Sequence, residues 1–185
     1  MSTITFIRHA CVDIKKYDNI SAREFGLWID EYNISSIKEE VQNKDTIFKI
    51  LDDADIILCS ELKRSIESVG LFDKSATSVN EFFNEVELPY ASWNLIRLRP
   101  PIWLIIFRAL WFLGYSKNVE SYNRAKKRAK LAAEMLIDLS ANRKSITLMG
   151  HGLMNRLIIK ELLACNYIKV KNTGNKNWSY CILRR

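Results

Sequence analysis

The sequence predicts an α/β fold: a three-layer sandwich with a mostly parallel central sheet and helices on both faces. Three observations predict it. Residues 3–7 (TITFI), 55–59 (DIILC) and 145–149 (SITLM) are nearly continuous apolar runs, the pattern of strands buried on both faces. Segments with helical spacing separate them, and strand alternating with helix is the order of parallel-sheet proteins. Polar residues gather where each run stops, and in open sheets of this kind ligands bind beyond the carboxyl ends of the strands.

The elements follow in order. The first strand stops at Arg8-His9. Ser21-Ala22-Arg23-Glu24 has capping-box spacing, and Phe25, Trp28, Ile29 and Tyr32 follow at helical intervals, so a helix starts there. Residues 46–51 read as a short helix. The second strand ends at Ser60, and a helix over about 62–72 follows. Residues 77–79 read as a short strand, and Pro89, Pro100 and Pro101 bracket a stretch without a clear period. Residues 119–139 form a long helix with the apolar stripe Ala125, Ala129, Ala132, Leu136 and Leu139. Its Arg124, Lys126, Lys127, Arg128 and Lys130 read as a solvated charge run. The third strand ends in Gly150-His151-Gly152, a helix over about 153–164 follows, and residues 178–183 alternate loosely as a last strand.

A chain of 185 residues suits one domain with a local insertion. Hydrophobic residues at 48% and charged residues at 26% exclude a disordered or fibrous chain. The net charge of +7 favours anionic partners: phosphorylated metabolites, nucleic acid or acidic membrane. No zinc motif or RNA-binding aromatic signature supports nucleic acid. The four cysteines form no Cys-x-x-Cys pair, which counts against zinc, and Cys59 and Cys165 lie in apolar settings. The start of the chain lacks a signal-peptide pattern, which places the protein in the cytoplasm. Residues 102–113 are very apolar but contain Arg108 and fall short of the roughly 20 needed to span a bilayer. They read as a buried helix, with peripheral membrane contact the lesser reading.

The chain has two histidines, and both follow strand ends: His9 beside Arg8, and His151 between two glycines. Phosphoryl transfer to imidazole fits them. An unprotonated ring nitrogen of His9 can attack phosphorus and split hydrolysis into two easier steps. Fixed cations stabilise the charge on the equatorial oxygens, and Arg8, Arg64 and a protonated His151 would supply them. Free amides at the helix start after Gly150-His151-Gly152 would add to that pocket. The leaving alcohol needs a proton, and Glu85 and Glu87 are the carboxylic acids in a suitable place. These two are expected to lie on opposite sides of the chain, so that one of them faces the site.

These residues together resemble the histidine phosphatase superfamily, also called the phosphoglycerate mutase-like family. Phe6-Ile7-Arg8-His9-Ala10 stands where the family has Arg-His-Gly, Ser60-Glu61-Leu62-Lys63-Arg64 matches Ser-x-Leu-x-Arg, and Gly150-His151-Gly152 matches the turn around the second histidine. The pieces come in the family order. The resemblance implies a phosphoglycerate mutase-like fold with His9 as nucleophile and Arg8, Arg64 and His151 as the phosphate pocket. It implies Glu85, after Phe83-Asn84, as the acid, and neither metal nor cofactor. Ala10 replaces the usual glycine, and Cys11-Val12-Asp13 replaces more polar residues. The elaborated mutase pattern around the first histidine is missing, which favours hydrolysis over mutase chemistry. Residues 88–116 correspond to the variable insertion that can cap the site. The substrate expected is a phosphorylated small molecule or a phosphoprotein.

Two rivals remain. A cysteine-dependent phosphatase needs Cys-x5-Arg, and Cys59 and Arg64 are one residue short of it. A non-catalytic phosphate- or phosphoprotein-binding module would keep the pocket without turnover.

Overall fold

The three apolar runs lie side by side at the centre of one sheet. A computed structural model describes residues 2–185. In chain order its elements are β1 (Thr3–Arg8), β2 (Ile20–Ser21), α1 (Ala22–Ile34), α2 (Lys44–Asp52), β3 (Ile56–Cys59), α3 (Lys63–Gly70), β4 (Ser78–Val79) and a 3-10 turn (Glu81–Phe83). There follow β5 (Arg97–Leu98), α4 (Pro100–Phe112), α5 (Tyr122–Asn142), β6 (Ser145–Gly150), α6 (Gly152–Ala164), β7 (Ile168–Asn172) and β8 (Tyr180–Arg184). Six strands form the main sheet in the order β4-β3-β6-β1-β8-β7. The first four are parallel neighbours, and β8 and β7 are added antiparallel. The sheet is therefore mostly parallel, as expected.

Side chains alternate across each strand, and this divides the core in two. Ile4, Phe6, Leu58, Ile146, Leu148 and Leu183 face one layer, where they meet α5 and α6. The α5 stripe of Ala125, Ala129, Ala132 and Leu136 is buried there. Small side chains let that helix lie close to its neighbours. Ile7, Ile57, Cys59 and Met149 face the other layer, with Ile47 and Leu51 of α2 and Val69 of α3.

A third cluster joins α1 to α4. Phe25 stacks on Phe107 with ring centroids 5.5 Å apart, and Trp103 stacks on Phe107 at 5.3 Å. The Trp103 indole donates to the Ile20 carbonyl at 2.7 Å. The two-residue strands β2 and β5 pair beside it. The α1 capping box is complete, with Ser21 Oγ accepting from the Glu24 amide and the Glu24 carboxylate accepting from the Ser21 amide.

Several boundaries differ from the sequence reading. Pro100 and Pro101 open α4 rather than interrupt it, because proline suits the first helical turn. The long helix starts after Ser121, whose side chain accepts from the Arg124 amide. Strand β7 was not expected. All five of its residues are exposed and it carries a bulge between Lys169 and Lys171, so it lacks the apolar signal of a strand. Cys165, read as sitting in an apolar setting, is exposed at the end of α6. Among the described residues no helix is long and apolar enough to cross a membrane.

Candidate active site

Sheet register builds the site. Ile7 and Cys59 both pair with Met149, one from each side. The residues that follow, Arg8, Ser60 and Gly150, therefore emerge in a row across adjacent strands about 4.8 Å apart. The His9 amide donates to the Gly150 carbonyl at 3.0 Å, which extends the row by one residue. His9 and His151 then meet, with ring centroids 5.0 Å apart. Arg64 comes from the first turn of α3 and Glu85 from the loop after the 3-10 turn. Arg8, His9, Arg64, Glu85, Glu87 and Arg108 line one cleft of about 840 Å³. His151 is fully buried against His9. Both glutamates line the cleft, so the expected division between them does not occur.

The His9 ring is oriented by the backbone. Its Nδ1 lies 2.6 Å from the Ala10 carbonyl. A carbonyl only accepts, so Nδ1 carries the proton and Nε2 keeps a free lone pair. Burial, and then the Arg64 guanidinium, lower its pKa from 6.5 to about 3. The ring is thus neutral at pH 7, with Nε2 unprotonated. The turn before β8 holds this stretch in place. Asn177 Nδ2 donates to the carbonyls of His9 and Ala10 at 2.8 and 3.0 Å, and the Trp178 amide donates to the Arg8 carbonyl at 3.0 Å. An Arg8 guanidinium N–H donates to the Asn175 carbonyl. Trp178 sits at φ 61°, unusual for an aromatic residue, and its indole donates to the Glu40 carbonyl at 2.9 Å. Nothing in residues 175–178 marked them beforehand as part of the site.

His151 differs from expectation. Burial, His9, Arg64 and Arg8 lower its pKa well below 6.5, so it is a neutral ring and not the protonated cation foreseen. Its Nε2 lies 2.6 Å from Ser60 Oγ, and that oxygen accepts from the Leu62 amide at 3.3 Å. Its amide donates to Asn155 Oδ1 at 3.2 Å. A Cβ on Gly150 would come within 2.3 Å of that Asn155 oxygen, so any larger residue there would have to displace the Asn155 side chain. The Arg8 guanidinium packs beside Gly152, its Cζ 3.4 Å from where a Cβ would stand, which is ordinary contact.

Arg64 is nearly buried, donates to Asn33 Oδ1 at 3.0 Å and lies over the Tyr32 ring at 5.2 Å. Among the described residues three buried side-chain nitrogens have no hydrogen-bond partner: Arg8 Nε, Arg64 Nε and His151 Nδ1. All three belong to residues around His9. Leaving such a donor unpaired costs about 1–3 kcal/mol each, so their concentration here needs a reason.

Glu85 supplies a second correction. The Leu153 and Met154 amides, at the start of α6, donate to its two carboxylate oxygens at 3.2 and 3.0 Å. Those amides were expected to face phosphate directly, and a carboxylate holds them instead. The loop bearing Glu85 is itself held by two arginines. Arg128 donates to the Phe82 and Asn84 carbonyls at 3.0 and 2.7 Å and pairs with Glu120, and Arg108 donates to the Val86 carbonyl at 3.0 Å. Arg128 is therefore not part of a solvated run. Cys59 is buried, and burial pushes its thiol up to about 12. It packs among α2 and α3 side chains, which removes it as a nucleophile.

Residues 48–185 match the model of the histidine phosphatase superfamily, branch 1. The chain belongs to that superfamily. Ser60, Arg64, Glu85 and His151 lie inside the matched stretch, and the Arg8-His9 strand lies before it. No curated protein matches this histidine phosphatase superfamily member by sequence. Solved structures do match by shape. A mycobacterial glucosyl-3-phosphoglycerate phosphatase in complex with VO3 aligns at a TM-score of 0.61 and 13% identity, over 100% of this chain and 93% of its own. An α-ribazole phosphatase from Shigella flexneri aligns at 0.55 and 17%, over 86% and 79%. A phosphoserine phosphatase from Entamoeba histolytica in complex with 3-phosphoglyceric acid aligns at 0.55 and 15%, over 98% and 90%. At these identities the likeness is one of fold.

Proposed function

We propose that this protein is a phosphomonoesterase that works through a covalent phosphohistidine on His9. The observation that carries the reading is the group of three unpartnered buried nitrogens around an imidazole with a free Nε2. A phosphoryl group brings acceptor oxygens for those nitrogens and an electrophile for that lone pair.

In the proposed reaction Arg8 and Arg64 hold the phosphoryl oxygens through their guanidinium forks. The Nε2 lone pair forms an N–P bond as the ester P–O bond breaks, and Glu85, entering the reaction as the neutral carboxylic acid, gives the leaving oxygen its proton. Water then loses a proton to the Glu85 carboxylate and attacks phosphorus, the N–P bond breaks, and His9 is restored. The Leu62 amide occupies one lone pair of Ser60 Oγ, so the Ser60 hydroxyl is free to donate to His151 Nε2. That tautomer leaves Nδ1–H of His151 as a neutral donor to phosphate. Two arginines supply the charge, and the route uses no metal or other cofactor. We read residues 1–185 as one domain in which residues 88–116 cap the cleft. The four unpaired cysteines fit the cytoplasm we propose for it.

The test is a screen of phosphorylated metabolites and a phosphoprotein with wild type beside His9→Ala. Hydrolysis and an acid-labile, base-stable phosphoenzyme are expected for wild type alone. Neither appearing in wild type would reduce the protein to a phosphate-binding module. Glu85→Gln is expected to slow alkyl phosphate hydrolysis about a hundredfold or more. It should barely affect p-nitrophenyl phosphate, whose leaving group needs no proton. If Glu87→Gln behaves in this way instead, the acid is Glu87.

A further inference from the structure

The cleft is much larger than its phosphate-binding end requires. Its volume of about 840 Å³ lies in the range of pockets for whole small molecules, roughly 300–1,000 Å³. A phosphoryl group is smaller than one aromatic side chain, so most of that space faces the rest of the substrate. The walls there are apolar: Trp28, Ile29, Leu88, Leu104, Ile105 and Phe112 all line it. Ile105 and Phe112 are 71% and 48% exposed, unusual for large apolar side chains at the wall of a working site. Their exposure extends along α4, where Ile102 on the same face is 43% exposed, and on to Leu113 just past the helix end, which is 84% exposed.

Charge in the cleft argues against a second anionic group on the substrate. Beyond Arg8 and Arg64, the lining holds one cation, Arg108, against the carboxylates of Asp30, Glu85 and Glu87. Arg108 already donates to the Val86 and Glu87 carbonyls and lies over the Trp111 ring at 5.0 Å. Asn33 Oδ1 already accepts from Arg64, and both ends of the Asn84 amide are engaged with Glu61.

We infer that the substrate is a phosphate monoester of an apolar alcohol, its phosphate held by Arg8 and Arg64 and its hydrocarbon part laid against α1 and α4. The inference rests on the proposed phosphatase reading for its chemistry, but the apolar cleft can be tested without turnover. Each methylene taken from water into such a wall contributes about 0.8 kcal/mol, close to fourfold. Lengthening the alcohol from ethyl to hexyl should therefore raise kcat/KM about 20- to 200-fold, the lower figure applying to a half-open wall. The double variant Ile105→Ser with Phe112→Ser should cut that hexyl-to-ethyl ratio about tenfold, whereas general damage to the fold would lower both substrates alike. Wild type should also bind hexylphosphonate, which it cannot hydrolyse, more tightly than ethylphosphonate in calorimetry. Equal affinity for the two phosphonates, or a flat ester series, overturns the inference while p-nitrophenyl phosphate hydrolysis leaves the phosphatase reading intact. Tight hexylphosphonate binding with no ester turned over overturns the phosphatase reading and keeps the apolar cleft.

Discussion

At the scale of the residue, the decisive quantity is the charge state of two imidazoles. Both histidines are buried and held neutral, His9 with its pKa lowered to about 3 and His151 also well below 6.5. The chain contains two histidines, so its imidazole NMR signals are simple to assign. Neither should titrate between pH 8 and pH 5 in the free protein, and a transition near 6.5 for the His9 signal would refute the assignment. Stability follows the same sign. A histidine that stays neutral when folded takes up a proton near 6.5 when unfolded, so between about pH 3 and 6.5 the unfolded chain binds more protons. Folding stability therefore falls as pH falls through that window, by on the order of 5 kcal/mol for His9 alone. Urea unfolding at pH 7 and pH 4 should show a smaller loss in His9→Asn than in wild type. The identity of these residues was legible in the sequence because the motifs are local. Their states were not, because burial and the approach of Arg64 to His9 depend on tertiary structure.

At the scale of the element, the site depends on loops that regular structure holds from a distance. The Glu85 loop is the example. Its carbonyls are bound by Arg128 of α5 and Arg108 of α4, and its carboxylate caps α6. Arg128→Ala removes those donors and leaves Glu120 unpaired. We expect a loss of about 1–3 kcal/mol in urea unfolding and a fall in kcat that is larger for alkyl phosphates than for p-nitrophenyl phosphate. Gly150→Ala should drive Asn155 away from the His151 amide, given the 2.3 Å approach its Cβ would make. Overpacking of this kind costs about 1–3 kcal/mol, and thermal unfolding beside kcat would measure both effects. Apolar runs and the capping box were readable because they are short-range patterns. Strands β2 and β5 are two residues long, and β7 is polar throughout save Ile168 and Val170. Such elements exist through their partners, so the sequence carries little trace of them. Arg128 looked like its neighbours in the charge run for the same reason.

At the scale of the whole molecule, layer order and site location were both foreseeable. Three buried strands ending in polar residues fix where the cleft must open, and the sheet register then lines up Arg8, Ser60 and Gly150. Helix α4 was visible as an apolar stretch, but its packing on α1 through Phe25, Trp103 and Phe107 was not. The two borders of the main sheet have one further consequence. One border, β4, is two residues long; the other, β7, is five residues long, interrupted by a bulge and guarded by Lys169 and Lys171. A long, flat and uncharged border would recruit the backbone of a second molecule. Here one border is too brief and the other too kinked and too cationic to do so. Replacing both lysines with valine should bring out concentration-dependent assemblies by size-exclusion chromatography, with a cross-β signature if they grow. The five residues that looked least like a strand are thus what keeps the sheet from continuing into its neighbour.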